Sequence, residues 1–206
     1  PGMLANLQRW TKELEKLDGP IQQLESVDGK PMPSRTEAFV DHHPRLNDVL
    51  RYGTLPKLLA DLIGEDVNLY KEKVNYTPPL GGGGYPAHQD VYDVKALGVD
   101  PDIKNTSELS LSQRYFTCFV AVDEASPSNG CLSVAPGYHL RGARRHASRP
   151  VRLVEDEQPH PSAWVQVPMQ AGDVLIFDNY MPHKSGKNNS TSWRRAMFPV
   201  YNACSK

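Results

Sequence analysis

Pro86-Ala87-His88-Gln89-Asp90 follows a run of four glycines, Gly81 to Gly84, and sets an imidazole and a carboxylate two positions apart. In an extended chain, residues i and i+2 face the same side. His88 and Asp90 can therefore approach one metal ion from one strand. A second imidazole stands late in the chain, in Tyr180-Met181-Pro182-His183. Two histidines and one carboxylate on one face of a metal, with other positions open, suit a non-haem Fe(II) oxygenase. Zinc with an activated water can use the same donors, so ligand types alone leave a zinc hydrolase standing beside it. A His-x-Asp triplet is common at polar strand ends. The glycines before this one add weight, because they let backbone or ligand approach closely.

Working outward, the flanking segments read as short strands. Upstream, Asn68 to Tyr76 has strand character and Pro78-Pro79 ends it. Downstream, a polar stretch over 91–113 is long enough to be functional, and is expected to be a lid that orders when substrate binds. Tyr115 to Val122 is a strongly apolar strand, followed by the turn Ser126-Pro127-Ser128-Asn129-Gly130. Further strands are expected at Cys131 to Ala135, Trp164 to Val167, Val174 to Phe177 and Arg194 to Val200, with a polar excursion over 141–163.

The N-terminal third differs. Leu4, Leu7, Trp10, Leu14 and Leu17 recur at helical spacing, which predicts a helix from residue 3 to about 17. Residues 21–43 alternate weakly and contain Pro31 and Pro33, and read as short strands and loop. From Pro44 to Ile63 an apolar stripe of Leu46, Val49, Leu50, Leu55, Leu58, Leu59 and Leu62 predicts helix, divided at Gly53 and ended by Gly64. Helices first and short strands after predict an α+β fold with a sandwich or barrel core.

The 206 residues are enough for one domain with a substantial core. Lys plus Arg is 23 and Asp plus Glu is 24, a net charge of −1. That balance gives no reason to invoke nucleic acid or an anionic membrane as a partner. No apolar run approaches the ~20 residues of a membrane span, and the first residues lack the pattern of a secretory leader. Cys118, Cys131 and Cys204 are too few and scattered for a disulfide framework or zinc knuckle, which fits the cytoplasm.

Arg194 and Arg195 begin the last strand, ahead of Ala196-Met197-Phe198. A charge entering an apolar strand demands a partner, and a guanidinium is the natural fork for a carboxylate. Strand neighbours face opposite sides, so only one of the two can enter a barrel.

Four motifs stand in order: His88-Gln89-Asp90; Asn129-Gly130-Cys131-Leu132-Ser133-Val134-Ala135-Pro136-Gly137-Tyr138-His139; Gly172-Asp173-Val174 through His183-Lys184-Ser185-Gly186-Lys187-Asn188; and Arg194. Together they resemble the phytanoyl-CoA dioxygenase family over roughly 65–206. The resemblance implies a double-stranded β-helix of the jelly-roll or cupin kind, with N-terminal packing helices over 1–64, in a single domain. It implies Fe(II), 2-oxoglutarate and dioxygen, with His88, Asp90 and His183 as iron ligands. Arg194 is then the anchor for the distal carboxylate of 2-oxoglutarate, and Arg195 faces away. Asn75 matches an asparagine that contacts the cosubstrate in some members, and Thr117 is expected near it. Many relatives have Lys where this chain has Thr77.

The stretch Tyr70-Lys71-Glu72-Lys73-Val74-Asn75-Tyr76 with the glycine run is similar to bacterial members that act on small molecules, among them hydroxylases of aminoethylphosphonate-type compounds. Lys73, Tyr92, Asp93, Tyr115, Arg141 and Asn179 are the expected substrate contacts for a small polar or zwitterionic molecule. Cations would hold a phosphonate or carboxylate, and aromatic faces with Asp93 an ammonium. The implied reaction is hydroxylation of an unactivated C–H bond with release of succinate and CO2. A non-catalytic cupin-like module that retains metal is a second rival to the zinc hydrolase, and both leave Arg194 unexplained.

Overall fold

The computed structural model describes residues 2–90, 115–144, 146–148 and 151–204. The expected lid and the candidates Tyr92 and Asp93 lie outside them. Helix α1 (Met3–Leu14) leads into the hairpin β1 (Ile21–Val27) and β2 (Lys30–Glu37), then helices α2 (Pro44–Tyr52) and α3 (Thr54–Ile63). Strands β3 (Val67–Thr77), β4 (Tyr115–Ala121) and β5 (Leu132–Val134) follow. A small hairpin, β6 (His146–Ser148) and β7 (Val151–Leu153), precedes β8 (Val165–Gln166), β9 (Val174–Asp178), β10 (His183–Ser185) and β11 (Arg194–Ala203).

Two antiparallel sheets carry the architecture. The major sheet has the order β1-β2-β3-β11-β4-β9, and the minor one β10-β5-β8. With the helices at one end of the sequence this is the α+β jelly roll, the double-stranded β-helix expected above. The N-terminal flank is more than helical, however: β1 and β2 extend the major sheet beyond β3. Pro31 and Pro33 lie in the stretch read as short strands and loop, and both fall within β2. They are tolerated because only Arg35 to Glu37 of β2 pair with β3, and because the β1–β2 register shifts at Gln23 and Leu24, opposite Pro33.

The helical periodicity has a direct structural counterpart. α1 buries Leu7, Trp10 and Leu14 against Val74 and Tyr76 of β3, Val120 of β4 and Met197 of β11, together with Leu46 and Leu50 of α2. The helix stops at Leu14 rather than Leu17, yet Leu17 still packs on this cluster. Gly53 divides α2 from α3, and Gly64 ends α3. Among the described residues no helix is long and apolar enough to cross a membrane.

The segment carrying His88 departs from expectation. It is not a regular strand but a strap along β10, tied by two isolated bridges, Gly82 to Asn188 and His88 to His183. Pro86 has no N–H to give a ladder. The strap lies very close to its neighbour: a Cβ on Gly84 would collide with the Ser185 carbonyl oxygen, and one on Gly130 with that of Gly186. These glycines let strap, β10 and the turn before β5 stack at backbone distance.

Candidate metal centre

The strap and β10 bring the two imidazoles together. His88 N–H donates to the His183 carbonyl (3.0 Å) and His183 N–H donates back to His88 (2.9 Å). One ligand atom each from His88, Asp90 and His183 falls within 4.8 Å of the others, the one such group of His, Cys, Asp or Glu among the described residues. The ring centroids of the histidines are 4.2 Å apart, and His183 Nε2 is 4.0 Å from Asp90 Oδ1.

Each ligand is held from behind. His88 Nδ1 lies 2.7 Å from the Pro86 carbonyl oxygen and His183 Nδ1 2.9 Å from that of Met181. A carbonyl only accepts, so both Nδ1 atoms carry the proton and both Nε2 lone pairs are free for a metal. Asp90 N–H donates to Asn179 O (3.1 Å), and the Thr117 hydroxyl donates to Asp90 Oδ2 (2.6 Å) while lying 3.0 Å from Asn179 Oδ1. Oδ1 is thereby left as the ligand atom.

The electrostatics favour a metal-ready state. Burial, reinforced by the neighbouring His183, pushes the His88 imidazole down to about 3, and burial also lowers His183. Burial works to raise the Asp90 carboxyl, but the fields of Lys73 and the two histidines more than reverse it and keep it ionised. Two neutral imidazoles and one carboxylate are what a divalent cation needs.

His88 and His183 line a small cavity with Arg35, Lys73, Asn75, Thr77, Tyr85, Arg194 and others. Arg194 is 4 % exposed. Its Nε donates to the Asn129 carbonyl (2.9 Å), but its Nη2 is buried with no hydrogen-bond partner. Burial depresses its guanidinium to about 10. Arg195 points to the other face and forms a fork on Asp123 (2.7 and 2.8 Å). A buried guanidinium nitrogen without a partner, beside a metal-ligand set, fits the distal carboxylate of a 2-oxo acid.

The other candidates separate. Lys73 is at the cavity, its Nζ 3.9 Å from Asp90 Oδ1. Asn75 lines the cavity and accepts from Arg35 Nε (3.1 Å). Thr117 and Asn179 stand behind Asp90 rather than in the cavity, because their side chains point to its carboxylate from β4 and the turn after β9. Tyr115 packs edge-on against Tyr70 (4.9 Å), and the exposed Arg141 stacks on Tyr138 (4.1 Å); neither lines the cavity. The sequence reading passed over Arg35, Tyr85 and Phe198, which do line it.

The chain is similar to known proteins along most of its length. The family model "Phytanoyl-CoA dioxygenase (PhyH)" matches residues 2–196. A methylphosphonate hydroxylase of Gimesia maris is 35% identical over 202 residues, covering 96% of this chain and 71% of that protein. A 2-aminoethylphosphonate dioxygenase of an uncultured bacterium, HF130_AEPn_1, is 30% identical over 211 residues, covering 99% and 74%. Among solved structures, EvdO2 from Micromonospora carbonacea var. aurantiaca complexed with 2-oxoglutarate superposes with a TM-score of 0.72 at 21% identity, over 98% of this chain and 81% of that one.

Proposed function

Because the chain belongs to the phytanoyl-CoA dioxygenase family, and is with it an Fe(II)- and 2-oxoglutarate-dependent dioxygenase, we propose that it hydroxylates a C–H bond of a small phosphonate-bearing molecule. The observation that carries the reading is Arg194, a buried guanidinium with a spare donor in the cavity of His88 and His183. A zinc hydrolase or a plain binding module has no use for it. The phosphonate class is taken from the two relatives above 30% or at it, and suits a cavity lined by several cations.

In this reading His88, Asp90 and His183 hold the iron, and Arg194 holds the distal carboxylate of 2-oxoglutarate. When bound, iron with 2-oxoglutarate and dioxygen supplies the oxidising chemistry, with succinate and CO2 released. The chain's own work is positional. The carbonyls of Pro86 and Met181 fix the imidazole tautomers, and Thr117 turns Asp90. Leu132 and Phe198 give the cavity apolar walls that limit water. Three free cysteines suit the cytoplasm as its compartment.

The test is anaerobic titration of 2-oxoglutarate into the Fe(II) protein, followed by a succinate-release screen with methylphosphonate and 2-aminoethylphosphonate. A charge-transfer absorption on titration and phosphonate-dependent succinate are expected. Absence of the absorption overturns the reading; succinate formation indifferent to every phosphonate overturns the substrate class.

A further inference from the structure

We propose that Arg35 and Lys73 together form a binding site for a tetrahedral oxyanion, the phosphonate group of the substrate; this rests on the phosphonate reading above. Register places them. Arg35 of β2 pairs with Asn75 of β3, and Lys73 lies two residues along β3 from Asn75. They are diagonal neighbours on one face of the sheet, at a separation long side chains bridge easily. Both line the metal cavity, and both also line a larger outer cavity of about 370 Å³ with Arg51, Tyr70 and Lys71. They stand between the two, within reach of an anion arriving from the outer one.

Their state is that of a site built for a ligand. Arg35 is held in place: its Nε donates to Asn75 Oδ1 (3.1 Å), its Nη1 to Glu37 (3.0 Å), and its guanidinium lies over the Tyr85 ring (5.1 Å). The Lys73 ammonium lies over the Phe198 ring (5.4 Å) and makes no hydrogen bond among the described residues. Its nearest carboxylate oxygen, Asp90 Oδ1 at 3.9 Å, is the atom left for the metal. Of the other cavity cations, Lys184 lies closer to its ring, that of Trp164 (4.2 Å), and Arg194 is the cosubstrate anchor in the reading above.

Charge balance gives the sign of the ligand. Ferrous iron brings two positive charges, of which Asp90 cancels one. Lys73 and Arg194 add one each, while Arg35 is neutralised by Glu37. The dicarboxylate cosubstrate removes two, so at least one positive charge remains, and a second where Lys184 at the cavity wall is counted; in an enclosed cavity uncompensated charge is costly. An anionic substrate group offsets that excess. In methylphosphonate the carbon to be oxidised is bonded to phosphorus, so its anion has to sit beside the metal. Lys73 puts an ammonium there.

Calorimetric titration of methylphosphonate into the anaerobic Fe(II)–2-oxoglutarate protein tests this, with the neutral dimethyl ester as control. Wild type should bind the anion and not the ester. Arg35→Gln and Lys73→Met should each weaken methylphosphonate by about 10- to 150-fold, the worth of a charged hydrogen bond. Their 2-oxoglutarate affinity, read separately from the charge-transfer absorption, should change by less than about threefold. Arg35→Lys should recover part of the loss, and it keeps the test open if the glutamine variant misfolds. Unchanged methylphosphonate affinity in the folded variants overturns the site. A matched fall in 2-oxoglutarate affinity reassigns the two cations to the cosubstrate and also overturns it. Failure of wild type to bind methylphosphonate, with 2-oxoglutarate titrating normally, sinks the anion site and leaves the oxygenase standing. Loss of the 2-oxoglutarate titration itself points to the underlying reading.

Discussion

The two faces of the major sheet share strands and share little else. On β3, Val74 and Tyr76 point to the helices while Lys73, Asn75 and Thr77 point to the metal cavity. On β11, Met197 joins the helix-side cluster and Arg194 and Phe198 line the cavity. The helix side is apolar, and its Tyr76 hydroxyl is paired, lying 3.0 Å from Thr36 Oγ1 and 3.3 Å from the Thr11 carbonyl oxygen, though the buried Thr11 hydroxyl has no partner. The cavity side collects cations and leaves an Arg194 nitrogen unpaired. Stability is thus concentrated on one face and ligand binding on the other. Alternation along each strand lets neighbouring residues answer to different demands.

The sharpest way to break that division is at the ligands. His88→Ala, Asp90→Ala and His183→Ala should each lose most bound iron while staying folded, a drop larger than the ~10–100-fold that follows loss of an outer partner. Metal analysis with circular dichroism reads both halves. Iron content unchanged in His183→Ala would remove it from the site.

Next in size is the Arg194 and Arg195 pair. Removing one partner of a buried charged pair costs on the order of 3–5 kcal/mol, about a hundred- to several-thousand-fold in affinity. Arg194→Ala should weaken 2-oxoglutarate by that much with little net change in the stability of the ligand-free protein, because the lost hydrogen bond to the Asn129 carbonyl is offset by removal of a buried guanidinium whose Nη2 has no partner. Arg195→Ala should leave 2-oxoglutarate alone and lower stability by on the order of 1–3 kcal/mol, since Asp123 loses its fork. The reverse pattern would put the register off by one residue.

On the helix side, Leu14→Ala empties a fully buried position and should destabilise by about 2–5 kcal/mol in urea unfolding. Its 2-oxoglutarate affinity should be unaltered; a parallel loss of affinity would mean the two faces are coupled.

The smallest effect per step is with pH. In the metal-free protein the folded His88 titrates near 3, against ~6.5 for an unfolded histidine. Between those values the unfolded chain holds a proton the folded one lacks, so stability falls as pH drops from ~6.5 toward 3. The slope approaches about 1.4 kcal/mol per pH unit. Urea midpoints of the apo protein at pH 7 and 5 check this, and a flat profile would show the imidazole to be solvated.

How much of this could be read beforehand depended on how local the signal was. His88, Asp90, His183 and Arg194 are distinctive residue types in ordered motifs; the structure clusters the first three and sets Arg194 in the cavity that the two histidines line. The helical stripes also translate directly, because burial of one face sets their period. Arg35 was not visible. It sits in a proline-containing stretch read only as short strands and loop, and its place at the cavity comes from cross-strand pairing with Asn75 forty residues away. Thr117 was expected near the cosubstrate, but a single strand's alternation says which side a residue faces, not which depth it reaches. It reaches the back of Asp90.

The β1–β2 hairpin that delivers Arg35 also relocates the raw border of the major sheet. Without it, β3 would present unpaired backbone groups next to the cavity; with it, the border is β1. A bare border is a template on which a second chain can polymerise. The register shift at Gln23 and Leu24 interrupts that template midway along β1, throwing its donors and acceptors out of step. The same hairpin therefore supplies a cavity residue and discourages fibril-like self-assembly along the one border that Leu24 would otherwise make adhesive.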